Sequence, residues 1–246
     1  MPKIRPSALS GRRDRVQARR CEASVERRFG SPSTTVPARA VSLRLYFMRA
    51  DKLAVASRSV PAIPAGTTLR GVSISSGTPT VDLTSAYSSG GGSLSMVARL
   101  AQVTCTLTQF PTVSGVVFRL EGAPVTVFGG EGIILDHPAT RSSFESVTPA
   151  ILVEGPTPGS RVTSPLRVWG TANVFEAAFR VELTDRTRRV IGSWPVQATS
   201  GTGTRGTFDV SIPFSGAVGA ATLSVFDLSA KDGSRQDLVS IPVQLG

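Results

Sequence analysis

Apolar residues recur at helical spacing in one long window of the chain. Met96, Leu100, Val103, Leu107 and Phe110 follow one another at alternating steps of four and three, so a helix stacks them on one face. Arg99, Gln102, Thr106 and Gln109 keep the same rhythm on the opposite face. The window predicts a helix over 93–110, with Ser93 as N-cap and Pro111 forbidding continuation. Around it the period drops to two. Val41, Leu43, Leu45 and Phe47 alternate with other side chains, and 53–60 is a second strand candidate. Residues 67–75 and 78–83 read as a hairpin turning at Ser76-Gly77. Two further strands, 115–120 and 125–128, flank Glu121-Gly122. This order predicts an α+β N-terminal domain over 41–128, a mixed sheet with one covering helix.

Beyond a connector at 129–148, short strands come at regular spacing: 150–154, 165–170, 177–184, 189–198, 207–213, 221–227 and 236–244. Gly159, Gly201, Gly203, Gly216, Gly219 and Gly233 punctuate them. Seven strands in about a hundred residues predict an all-β immunoglobulin-like sandwich over 149–246. Trp169, Phe175, Phe179, Trp194, Phe208, Phe214 and Phe226 are expected in its core or at its sheet edges.

Charge changes the picture at one end only. The chain carries a formal +10, but residues 1–40 hold ten Lys/Arg against three Asp/Glu, which leaves 10 − 7 = +3 for the rest. Residues 1–40 read as a basic, disordered tail without an aromatic stacking platform, and nucleic acid is not an expected partner. Cys21 and Cys105 make no disulfide framework, and Cys105 reads as a small buried apolar filler. No run approaches the ~18 apolar residues of a membrane span, and the Arg-rich start lacks the apolar core of a secretory signal. Membrane attachment is therefore expected only through a signal or anchor that this chain does not show.

Candidate chemistry is sparse. His137 stands beside Asp136, but no nucleophile elbow accompanies them, and a single histidine makes no metal set. Gly90-Gly91-Gly92 lacks the spacing and the Lys-Ser/Thr of a phosphate loop and reads as a flexible connector. No catalytic, metal or cofactor-binding residue is expected, and the protein reads as a non-enzyme.

Two resemblances give these patterns a setting. Leu45-Tyr46-Phe47, Ile63-Pro64-Ala65-Gly66-Thr67, Val81-Asp82-Leu83-Thr84, the run from Ala101 to Pro111 and Gly115-Val116 make 41–128 similar to the GerMN domain of bacterial sporulation and spore-germination proteins. The stretch from Pro156 to Pro165, the run from Val168 to Ala177 and that from Ser229 to Ser234 make 149–245 resemble the immunoglobulin-like domain that often follows it. One departure is physical: GerMN domains usually place a helix before the Ile-Pro-Ala-Gly-Thr segment, and here Pro61 and Ala62 alone separate Val60 from Ile63. A sheet with one helix is expected to leave part of a face uncovered. The resemblance implies a lipoprotein-like, non-enzymatic protein of the cell envelope whose partners are other envelope or sporulation proteins. The alternative is a carbohydrate- or peptidoglycan-binding module, with Trp169 or Trp194 as the stacking ring.

Overall fold

Strand β1 (Tyr46–Arg49) and strand β2 (Lys52–Val55) form an antiparallel ribbon with Tyr46 opposite Val55. The structure, a computed structural model, describes residues 46–49, 52–55 and 62–246, all within the unit Leu43–Gly246. The expected tail at 1–40, the alternation at 41–45 and the end of the second strand candidate lie outside the described residues.

The hairpin forms as its turn chemistry requires. β3 (Leu69–Ser75) and β4 (Thr78–Leu83) pair around Ser76 (φ 48°) and Gly77 (φ 76°), the two left-handed positions of a two-residue turn. A side chain at Gly77 would also press on the Thr112 carbonyl. Helix α1 (Ser93–Leu107) then crosses to β5 (Val117–Leu120), which lies parallel to β4, and β6 (Ala123–Pro124) completes the order β3-β4-β5-β6. The expected strand at 125–128 begins only at β7 (Val127–Phe128), which pairs with β8 (Ile133–Ile134).

Helix α1 corrects the expectation in two places. Gly92 is the N-cap, and the hydroxyl of Ser93 instead donates to Glu131 at 2.6 Å. The helix ends at Leu107, so Phe110 lies in the turn beyond it. The face opposite the apolar stripe is itself partly internal: Arg99 is 2% exposed, and Gln102 is buried with its Oε1 accepting the Ala62 N–H. The reason lies outside the helix. Residues 84–90 wrap its flank, and Arg99 donates to the carbonyls of Tyr87, Ser89 and Gly90 at 2.6–2.9 Å. Gly90-Gly91-Gly92 is thus tethered at its first residue by Arg99, rather than being a loose connector.

The segment read as a connector contains core. A short helix, Arg141–Val147, buries Phe144 and Val147 against α1 together with Ala139 and Val116. The sandwich follows as β9 (Ile151–Gly155), β10 (Arg161–Val162), β11 (Leu166–Ala172), β12 (Ala178–Asp185), β13 (Val190–Gln197), β14 (Gly206–Ile212), β15 (Gly219–Leu228) and β16 (Arg235–Leu245). Its sheets run β14-β11-β9 and β10-β16-β15-β12-β13. Between them Ile151, Val168, Val181, Leu183, Leu223 and Val225 are fully buried, and Phe179 meets Phe208 edge-on at 4.9 Å. Two aromatics depart from the expected core. Phe175 is 58% exposed, on a loop where Glu176 and Ala177 take left-handed backbone. Phe226 is buried on the outer sheet face, under the Arg235 guanidinium at 4.1 Å.

Candidate interaction surface

The helix–sheet region and the sandwich are joined by a polar junction built on the short helix. Arg141, at its start, donates to Glu154 of β9 at 2.6 Å, to the Tyr46 hydroxyl at 3.0 Å, to Thr108 at 3.0 Å and to the Cys105 carbonyl at 3.3 Å. The Tyr46 hydroxyl in turn donates to Glu154, and the guanidinium lies over the Tyr46 ring. One turn on, Glu145 receives both arms of Arg205 from the sandwich at 2.8 and 2.9 Å, and a third bond from Asn173 at 2.8 Å. Arg205 also donates to the Pro149 carbonyl. Between the two clamps Leu152 points away from the sandwich core and packs into the first one, 3% exposed. Paired, hydrogen-bonded charges in a half-buried seam hold orientation, because every donor has a set acceptor.

The junction titrates in alkali. Burial, with the Glu154 carboxylate second, pushes the Tyr46 phenol up to about 12, and burial pushes the Cys105 thiol up to about 11. Arg141 is held above its ordinary range: burial works against its charge, and Tyr46 and Glu154 outweigh that. Both raised groups are favoured in their protonated form by the fold, so their share of stability is whole below the unfolded values and drains as pH rises through the folded ones. Unfolding free energy is expected to fall from near pH 9 to near pH 12, by up to about 1.4 kcal/mol per pH unit for each group in its window. Urea unfolding across that range tests it. Tyr46→Phe should flatten the part between pH 10 and 12, and an unchanged slope there would refute the assignment.

The other conspicuous surface is the open edge of the four-stranded sheet. All seven residues of β3 are exposed. Leu69, Val72 and Ile74 stand opposite Leu83, Val81 and Pro79, on the face that carries α1. Their β4 partners are buried, yet Leu69, Val72 and Ile74 are 61%, 41% and 67% exposed. An uncovered part of the sheet face is therefore the edge strand β3 itself. Its charge, Arg70, is engaged by Asp82 at 3.2 Å and Glu121 at 2.6 Å.

Residues 13–126 match the family described as "Sporulation and spore germination", and residues 150–234 match the "Immunoglobulin-like domain of bacterial spore germination". The chain thus carries a match to each of these two families, in that order. The first GerMN domain of the sporulation protein GerM from Bacillus subtilis is 25% identical at TM-score 0.31, over 33% of this chain and 61% of that one. A putative lipoprotein from Clostridium perfringens is 17% identical at TM-score 0.33, over 37% and 61%. CopC from Methylosinus trichosporium OB3b is 17% identical at TM-score 0.27, over 39% and 92%. The chain thus spans about three fifths of the first two. No curated protein matches it. The GerMN match starts at residue 13, inside the stretch whose charge reads as a tail.

The residues proposed from sequence fall apart spatially. In the immunoglobulin-like domain Trp169 lies on the outer face of β11, its indole seated over Gly155 and Arg167 5.0 Å from its ring centre. Trp194 lies on the inner face of edge strand β13, folded over Gly192 and packed against the core. Both are half-buried, on different sheets. Asp136 and His137 sit 3.8 Å apart in a loop, largely exposed. Cys105 is buried in the GerMN core, and Cys21 lies outside the described residues. Among the described residues no cluster of three His, Cys, Asp or Glu could hold a metal, and no helix is long and apolar enough to cross a membrane. Sequence reasoning missed Arg141, Glu145, Glu154 and Arg205, whose pairing no spacing announces.

Proposed function

We propose that this chain is a non-enzymatic interaction part of an extracytoplasmic assembly related to sporulation and germination machinery. It would present the GerMN sheet edge at a set orientation to the immunoglobulin-like domain. The observation that carries the reading is β3, a seven-residue edge strand whose apolar stripe is exposed while the opposite stripe on β4 is buried. An open edge offers backbone N–H and C=O groups, and strand addition uses them for affinity while side-chain pockets set specificity. The family of both parts supports the setting, and one solved relative is titled a putative lipoprotein.

The test is in-cell photo-cross-linking. A photoreactive amino acid placed at Ile74 in the envelope of the source organism should yield discrete adducts of higher mass. The same residue at Arg186, exposed on a loop of the sandwich, is the control. Adducts no stronger at 74 than at 186 would overturn the reading.

A further inference from the structure

We propose that β3 pairs with β3 of a second copy, antiparallel, about a two-fold axis through Ser73. This names the partner of the docking edge and rests on that reading of it. The hairpin sets the hydrogen-bond phase. In a two-residue turn the flanking residues, Ser75 and Thr78, exchange backbone hydrogen bonds, and the phase alternates from there. Ser75 and Ser73 therefore bond inward to β4, while Val72 and Ile74 aim N–H and C=O at the open edge. Pro79, opposite Ile74, agrees with that phase, since it has no N–H to give.

An axis through Ser73 brings these outward groups together in register. Val72 faces Ile74 of the second copy and Ile74 faces its Val72, giving about four backbone hydrogen bonds. On the helix side, the two β-branched pairs form one apolar strip across the seam. Charge permits the match. A two-fold seam sets like against like, and 71–75 carry no charge, while Arg70 is already matched by Asp82 and Glu121 of its own chain. Three long strands at the edges of the sandwich are blunted: β13 carries Pro195, β16 carries Pro242 and a left-handed Asp237, and β14 presents Asp209 clamped to Arg167. A strand pairing of this length falls short of the roughly 800 Å² per partner of a standard interface, so the dimer should be weak and concentration-dependent.

The experiment uses the full chain with Cys21→Ser, Cys105 being buried. Two residues opposite one another without mutual hydrogen bonds lie about 4.5 Å apart at Cα, within disulfide range. Ser73→Cys should therefore form a disulfide-linked dimer on mild oxidation, and Ser75→Cys, which faces Gly71 of the second copy, should not. Sedimentation equilibrium from about 10 µM to about 1 mM should show the mass rising toward two chains, and Val72→Lys with Ile74→Lys should stay at one. A mass of one chain throughout, or no more cross-link at 73 than at 75, overturns the proposal. Ile74 adducts with a different protein alongside a monomeric wild type would overturn this inference while leaving the docking reading in place. Neither adducts nor dimer would remove both.

Discussion

Replacing Arg141 with methionine is expected to destabilise the protein by about 3–5 kcal/mol, at the lower end because the Arg141 side chain keeps 28% of its exposure. The loss is not that of one ion pair. Glu154, with a side chain 12% exposed, would be left charged without its cation. Thr108 and the Cys105 carbonyl would lose a donor as well. Much of the cost is thus the penalty on the partner left behind, and removing that charge should return part of it. Arg141→Met combined with Glu154→Gln is expected to be more stable than Arg141→Met alone. Denaturant unfolding of the two single variants and the double gives the coupling directly. If the double loses the sum of both singles, the two residues do not act as a pair.

The second large effect lies in α1. Leu100→Ala is expected to cost ~3–5 kcal/mol, because Leu100 is wholly buried in the core that α1 shares with the sheet and the short helix. Leu107→Ala should cost less, roughly 1–2 kcal/mol, since Leu107 is only partly buried at the helix end. The two leucines are equivalent on the helical repeat read from sequence. Equal losses in urea unfolding would show that the helix sits differently from its position here.

That contrast indicates what the chain's pattern can and cannot reveal. The hairpin at Ser76-Gly77 was legible because left-handed turn positions demand particular residues. The seven longer sandwich strands were legible because period-two alternation between two cores is a local property. β10 was not, having two residues and no period of its own. The burial of Arg99 and Gln102 was not legible for a different reason. A polar residue type does not announce burial, and here residues 84–90 supply Arg99 with backbone carbonyls and the Ala62 N–H satisfies Gln102. The junction was invisible because Glu145 and Arg205 are 60 residues apart and each looks like an ordinary surface charge. Trp169 and Trp194 stood out by residue type alone, and nothing in type tells an outer face from an inner one.

The two clamps run in opposite directions. The short helix sends a cation to Glu154 and receives one at Glu145. Such a joint is keyed: turning the sandwich through half a revolution would set Arg141 toward Arg205 and Glu145 toward Glu154. A chimera that grafts either half onto a foreign neighbour must therefore carry matching polarity at both pins. Arg141 and Glu145 travel with one cassette, Glu154 and Arg205 with the other.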